Sequence, residues 1–87
     1  MRALLLCGWI SEGVIYSREP SQDGRFWIHE DWIWGPRGAR EMKTGYWIAD
    51  GWLWGPEGAQ DAYTGYFIRG DWIYGPRVLL PFASRDG

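Results

Sequence analysis

A block of about 20 residues recurs along this chain of 87 residues and contains nearly all of its aromatic side chains. The clear copies are residues 24–36, 44–56 and 64–76, and a degenerate fourth copy is residues 9–16. A fixed period of this length indicates one supersecondary unit used several times. No single unit of such a repeat can bury its apolar face alone, so the copies must pack on one another.

Each copy reads as two short strands, rich in Trp, Ile, Tyr and Phe, on either side of two turn-forming residues. This pattern predicts a tight β-hairpin. The turn pairs are Glu12-Gly13, Glu30-Asp31, Asp50-Gly51 and Gly70-Asp71. We expect the second turn to be the least ideal because neither of its residues is glycine. The predicted hairpins span residues 4–17, 25–36, 45–56 and 65–76 approximately.

The strand pairing assigns the side chains to two faces. A two-residue turn places Trp47 opposite Trp54 and Ile48 opposite Leu53. Because successive side chains of a strand lie on opposite faces, these pairs assign the other residues of the hairpin as well. One face is then mainly aliphatic and the other mainly tryptophan. Because both faces are apolar, each needs a cover, which closure of the sheet, a second copy or a ligand could supply. Which face turns inward does not follow from the sequence.

Four similar hairpins favour closure, since strands arranged around an axis leave no exposed edge. We therefore predict an all-β fold in which four tandem two-stranded hairpins close into a small, shallow, pseudo-four-fold symmetric antiparallel β-barrel. Residues 1–87 are interpreted as a single repeat domain, since this length is too short for two. In residues 77–82 an apolar segment replaces the polar loop, and we expect it to meet residues 3–6 and seal the ring.

The repeated motif aromatic-aromatic-Ile-x-x-Gly/Asp-Trp-Ile/Leu-Trp/Tyr-Gly-Pro, with the closing Leu80-Pro81-Phe82, resembles the bacterial four-fold beta-flower family. The resemblance covers nearly the whole chain. It implies a shallow, nearly symmetric barrel whose hairpins are arranged like petals, in a family of unassigned function. The first copy departs from the motif because it lacks Gly-Pro. Function does not follow from a likeness of fold.

The Thr44-Gly45-Tyr46 and Thr64-Gly65-Tyr66 triplets and the aromatic second strands carry a weaker resemblance. They are similar to the 20-residue choline- and glucan-binding repeats of bacterial cell-wall proteins. That resemblance implies a ligand held between aromatic rings of neighbouring hairpins. The chain departs from those repeats in placing Gly-Pro directly after the aromatic strand.

Composition argues against several classes of function. A formal net charge of −2 gives no cationic field, so we do not expect nucleic-acid binding. Only four apolar residues precede Cys7, fewer than a secretory signal needs, and we expect a cytoplasmic protein. No run approaches the 18 apolar residues of a transmembrane segment.

The chain offers little material for catalysis. It has one histidine and one cysteine, whereas catalysis needs a positioned set of nucleophile, base and orienting group. We interpret Cys7 as a small strand residue and His29 as a surface residue at a hairpin tip. A metal site would need several clustered donors. We therefore expect no enzymatic activity, no metal and no cofactor.

The tryptophan-rich face is the candidate site. Three tryptophans recur near the hairpin tips, and we expect closure to gather them toward one rim. The candidate binding residues are Trp32, Trp52, Trp72, Trp34, Trp54 and Tyr74. The favoured hypothesis is a non-enzymatic module that contacts a protein or lipid. Binding of a sugar or choline, and a structural role in which this face mediates self-association into a homo-oligomer, are the alternatives.

Overall fold

The structure, a computed structural model, describes residues 4–84 and is all-β, with eight strands in hairpin order. The strands are β1 (Leu5–Ser11), β2 (Val14–Ser17), β3 (Phe26–His29), β4 (Trp32–Trp34), β5 (Lys43–Ala49), β6 (Trp52–Trp54), β7 (Tyr63–Arg69) and β8 (Trp72–Gly75). A 3-10 helix, Pro81–Ser84, follows them. No helix between residues 4 and 84 has the length and hydrophobicity needed to span a bilayer.

The strands form one closed antiparallel barrel in which each strand pairs with its neighbours in sequence. Within the hairpins the predicted register is confirmed, because Ile48 pairs with Leu53 and Trp47 with Trp54. The ring closes where β1 pairs with β8, from Leu5 opposite Gly75 to Trp9 opposite Trp72. The predicted closed barrel of four hairpins is therefore confirmed.

The same backbone hydrogen bond joins each hairpin to the next. In every case the amide of the inward isoleucine on the first strand donates to the carbonyl of the second turn residue of the preceding hairpin. The four bonds are Ile28 to Gly13 (2.7 Å), Ile48 to Asp31 (2.8 Å), Ile68 to Gly51 (2.6 Å) and Ile10 to Asp71 (2.8 Å). This repetition is the backbone basis of the pseudo-four-fold symmetry.

The aliphatic face turns inward and forms the core. Ile15, Ile33, Leu53 and Ile73, one from each hairpin, are at most 1% exposed. Their cross-strand partners, the four isoleucines that bond to the preceding turns, are partly buried and pack against them. Tryptophan is absent from the fully buried set. An aliphatic core fits the narrow interior of a small eight-stranded barrel, which side chains must fill.

An aromatic ring packs on a glycine in each of the last three hairpins. A Cβ atom added to Gly35, Gly55 or Gly75 would lie 2.1–2.7 Å from the ring of the aromatic residue on the other strand of its hairpin. Those rings belong to Phe26, Tyr46 and Tyr66. The glycine of Gly-Pro therefore has two roles. It ends the strand, and because it has no Cβ atom the aromatic ring can pack directly on its backbone.

The apolar segment after β8 closes the barrel end that lies away from the hairpin turns. Leu80 and Phe82 are at most 1% exposed, and the ring of Phe82 contacts Phe26 (4.9 Å) and Tyr46 (6.0 Å). The Tyr66 hydroxyl donates to the carbonyl of Leu79 (2.7 Å). The segment therefore contacts several hairpins at once and acts as a plug.

Pairing of β1 with β8 closes the ring, and the contact of this segment with residues 3–6 stays a prediction. The start of the segment lies beside β1, because the Cys7 thiol donates to the carbonyl of Arg77 (3.0 Å). Leu4 remains 63% exposed, and Ala3 lies outside the described residues.

The first strands of the third and fourth hairpins begin earlier than predicted. β5 begins at Lys43 and β7 at Tyr63, both of which the sequence pattern leaves in connecting loops. Lys43 pairs with Trp34, and Tyr63 pairs with Trp54, each across the junction to the preceding hairpin. A β-bulge accompanies each of these pairings. Pairing between hairpins, which repeat pattern alone does not display, extends the strands.

Candidate interaction surface

The tryptophan-bearing face lies on the outside of the barrel and forms the outer belt. It consists of Trp9, Tyr16, Trp27, Trp32, Trp34, Trp47, Trp52, Trp54, Tyr63, Phe67, Trp72 and Tyr74. Most of these side chains are half-buried against one another, whereas Trp9 (36%), Trp72 (48%) and Tyr63 (54%) are the most exposed. The belt is therefore an apolar surface that the fold leaves in partial contact with water.

The belt divides into four junctions, each formed by two successive hairpins. Each junction is numbered by its two hairpins, so junction 2/3 joins the second hairpin to the third. At junction 2/3, Trp32 packs on Trp47 with ring centroids 5.5 Å apart. The Lys43 ammonium lies 4.9 Å from the centre of the Trp32 ring, and it also forms an ion pair with Glu57 (3.4 Å). A cation of the chain itself therefore covers Trp32 at this junction.

Junction 3/4 replaces that cation with an aromatic ring. Trp52 packs on Phe67 (5.3 Å) and on Tyr63 (5.5 Å), which occupies the place of Lys43 one repeat earlier. An open groove of about 480 Å³ runs beside these rings, with Leu4 and Pro76 on its other side. The residues that line this groove carry no formal charge at neutral pH.

Junction 4/1 closes the ring and has the most exposed tryptophan. Trp72 lies 6.2 Å from Trp9, and their ring planes are inclined at 54°. Trp9 in turn stacks on Tyr16 at 5.9 Å, with an interplanar angle of 17°. We call the three rings the Trp72–Trp9–Tyr16 shelf.

Junction 1/2 is the least aromatic of the four, because Val14 takes the place of the tip tryptophan. Val14 pairs with Trp27, and the Arg37 guanidinium lies 5.8 Å from the centre of the Trp27 ring. A groove of about 340 Å³ opens between Val14, Trp27 and Arg37, next to the turn residue Glu12. Here too a cation of the chain covers the outward tryptophan.

The structure places the predicted tip tryptophans at three different junctions. Trp32, Trp52 and Trp72 each pack on the following hairpin, and in the described part of the chain no ring contact joins one of the three to another. Each of the three therefore lies at its own junction, and their service as one binding rim stays a prediction. Because the residues face outward, closure spreads them around the circumference.

The predicted residues of the second strands also lie in the belt, in three different environments. Tyr74 stacks on Phe67 at 5.5 Å. The Trp54 indole nitrogen donates to the carbonyl of Ala49 (3.1 Å), whereas the buried indole nitrogen of Trp34 has no hydrogen-bond partner within residues 4–84. We have no physical account of the missing Trp34 partner.

Sequence reasoning missed two members of this surface, Lys43 and Tyr63. Both were assigned to loops, although each stands directly before a Thr-Gly pair and the two are one repeat apart. That spacing was the signal that could have identified them. In the structure both threonine hydroxyls donate to the preceding hairpin, Thr44 to Ile33 and Thr64 to Leu53, at 2.6 Å. These bonds hold Lys43 and Tyr63 against the neighbouring tryptophans.

The buried polar groups are structural. The Cys7 thiol donates to the carbonyl of Arg77 (3.0 Å), and burial raises its pKa from 9.0 to about 11, against a smaller opposing effect of Arg18. Burial likewise raises the pKa of the Tyr66 hydroxyl. A thiol held neutral and fully buried is a poor nucleophile.

The exposed titratable groups include the histidine of the second hairpin. His29 is exposed at its hairpin tip, with Nε2 3.9 Å from a carboxylate oxygen of Glu30. Among the described residues, no group of three His, Cys, Asp or Glu side chains is arranged to hold a metal ion.

Comparison with known proteins does not assign this surface a function. No protein-family model, no curated protein and no solved structure matches the chain.

Proposed function

We propose that this chain is a non-enzymatic, cytoplasmic interaction module that binds a partner protein through its outer belt. The observation that carries the proposal is the orientation of the two faces. Aliphatic side chains fill the core, so the tryptophans are not needed there, yet the belt keeps them partly exposed. Protein interfaces are enriched in Trp and Tyr because these side chains bury large areas with few rotatable bonds.

The charge distribution favours a protein partner over a lipid surface. Each hairpin turn carries at least one carboxylate, from Glu12, Glu30, Asp31, Asp50 and Asp71. These groups repel anionic headgroups at the end of the barrel that an end-on approach would present. A flat bilayer that approached from the side would meet only one sector of a belt that encircles the barrel.

A double variant tests the proposal. Wild-type protein, Trp52→Ala/Trp72→Ala and the control Gln60→Ala are immobilised and incubated with a cell extract. Gln60 is an exposed loop residue outside the belt. We expect wild type and control to retain the same partners and the double variant to lose them, with an unchanged circular dichroism spectrum. Equal retention by the double variant would refute the proposal. Flotation with phosphatidylcholine/phosphatidylglycerol vesicles would favour lipid binding instead.

The groove at junction 3/4 favours one second candidate, binding of a sugar or choline. Its volume of about 480 Å³ lies in the range of small-ligand sites, and Trp52, Tyr63 and Phe67 offer rings for stacking. Calorimetric titration with glucose oligomers and with choline at millimolar concentration tests it. Heat of binding that disappears in Tyr63→Ala would support this candidate, and no heat with any of these ligands would exclude it.

We further propose that the chain is related to the four-fold beta-flower family. The closed antiparallel barrel of four hairpins and the repeated motif support this relationship. The relationship concerns the fold and carries no assignment of function.

A further inference from the structure

The four junctions repeat one backbone arrangement but cover the outward tryptophan differently. At junction 2/3 the Lys43 ammonium lies over the tip tryptophan Trp32. At junction 1/2, where Val14 stands at the tip position, the Arg37 guanidinium lies over Trp27 of the next hairpin's first strand. Tyr63 covers Trp52 at junction 3/4. The barrel therefore contains two internal examples of a cation bound on its outer belt.

Within residues 4–84 no cation lies over a ring at junction 4/1, and the strand register shows which residue stands at the corresponding place. Lys43 is the partner of Trp34, and Tyr63 is the partner of Trp54. The corresponding partner of Tyr74 on β1 is Leu6, an aliphatic side chain with no charge and no ring. Trp72 is left 48% exposed, whereas Trp32 and Trp52 are half-buried.

We propose that the Trp72–Trp9–Tyr16 shelf binds a lysine or arginine side chain of the partner protein. An ammonium or guanidinium group is attracted to the face of an indole ring, and Lys43 is held in this way over Trp32, the residue that corresponds to Trp72 two repeats earlier. The inference rests on the proposed function and adds the chemistry of the partner.

The charges around the shelf complement a basic partner. Glu12 and Asp71 lie in the two turns that flank junction 4/1, and the chain has a net charge of −2. Two like charges of the described residues lie near this junction. Arg69 is the cross-strand neighbour of Trp72, and the Arg18 guanidinium donates to the carbonyl of Leu6 (3.3 Å). Between residues 4 and 84, the cations that lie over rings are Arg37 and Lys43, so Arg69 does not occupy the shelf.

Blocked Gly-Arg-Gly and Gly-Lys-Gly peptides are the probes, and the indole N–H resonances of isotope-labelled protein are the readout. We expect saturable shifts of the Trp72 and Trp9 signals at millimolar peptide and none with the uncharged Gly-citrulline-Gly peptide. Trp72→Ala should weaken binding about two- to fivefold, as expected for an exposed cation–π contact. The control Gln60→Ala, at an exposed loop residue outside the belt, should leave the affinity unchanged.

Two further variants test the effect of a covering cation at another junction and of the like charge beside the shelf. Lys43→Ala uncovers Trp32, so we expect a second peptide site, seen as new shifts of the Trp32 indole signal. Arg69→Ala removes the like charge and should tighten binding at the shelf. Equal shifts with the citrulline peptide, or no shift of Trp72 with either basic peptide, would overturn the inference.

The outcomes separate this inference from the proposed function. If the belt retains partner proteins but the basic peptides do not shift Trp72, the inference fails and the proposed function stands. If the Trp72 signal shifts with protein concentration alone, a second copy covers the shelf, and the inference fails for that reason. If the Trp52→Ala/Trp72→Ala variant retains the same partners as wild type while the basic peptides still shift the wild-type Trp72 signal, the result counts against the proposed function alone.

Discussion

The main-chain amide of Ile10 donates a hydrogen bond of 2.8 Å to the carbonyl oxygen of Asp71, and this bond joins the first hairpin to the last. The three internal junctions contain the same bond, as between Ile28 and Gly13. The closing junction is therefore built like the others, although it joins residues 61 positions apart in the chain. A ring of equivalent junctions leaves no sheet edge for association with other chains.

Removal of the plug should destabilise the barrel. Phe82→Ala exposes the rings of Phe26 and Tyr46 and should lower the free energy of unfolding by about 3–5 kcal/mol, as for other buried aromatic residues. Leu79→Ala is the control, because that side chain is 40% exposed and the bond from Tyr66 is to its backbone. Urea denaturation measures both. Deletion from Val78 onward should be at least as damaging, and an unchanged melting temperature would contradict the role of the plug.

Gly55→Ala should be strongly destabilising. Gly55 has a φ of 141°, and a Cβ atom there would lie 2.5 Å from the Tyr46 ring. Overpacking of this kind costs about 1–3 kcal/mol, and the backbone strain adds to it. Gly58→Ala is a matched control, since Gly58 also has a positive φ (89°) but has no atom within 4 Å of the added Cβ. Similar melting temperatures for the two variants would show that the ring does not need the glycine surface.

Asp31→Gly should stabilise the protein. Glu30 and Asp31 have φ values of 55° and 69°, the type I′ combination that favours glycine at the second position, as Gly13 and Gly51 provide in the first and third turns. We expect a gain of about 1 kcal/mol from relief of this strain. Asp71→Gly is the control, because Gly70 supplies the positive φ in that turn and the change should only add freedom to the unfolded chain. Thermal unfolding of both variants decides the matter, and a lower melting temperature for Asp31→Gly would be the contrary result.

Stability should fall in alkaline solution partly because of Cys7. Burial raises the pKa of its thiol from 9.0 to about 11, so the folded protein keeps the proton at pH values where the unfolded chain has released it. The stabilisation is fully present below about pH 9 and is lost as the pH rises through 11. Tyr66 acts in the same direction. We therefore expect Cys7→Ala to show a shallower loss of unfolding free energy over this range than wild type, and parallel pH profiles would argue against the effect.

The orientation of the faces can be tested by fluorescence. Trp9 and Trp72 are 36% and 48% exposed, so acrylamide should quench the emission of the folded protein strongly. Trp72→Ala should reduce this quenching and change stability little. Its neighbour Ile73→Ala removes a core side chain that is 1% exposed and should cost about 2–5 kcal/mol. Weak quenching in a protein that sediments as a monomer would contradict the outward belt.

Some features of the barrel were predictable because they depend on local spacing. The two-residue turns determine which residues pair within a hairpin, and the pairing of Ile48 with Leu53 was predicted correctly. Four equal units with two apolar faces also favoured closure. The bulged pairings of Lys43 and Tyr63 were not predictable in this way, because pairing between hairpins depends on how the strands tilt around the axis.

The sequence by itself determined the repeat, the hairpins and the separation of aliphatic from aromatic faces, since each follows from residue spacing along the chain. The tertiary structure alone decided which face turns inward and where the tail packs. Both depend on interior volume: four branched aliphatic side chains fill the narrow barrel, and Phe82 fills its end. The tryptophans are consequently on the outside. There one neighbouring side chain determines how much of each tip tryptophan ring stays exposed to a partner, and this neighbour is Lys43, Tyr63 or Leu6.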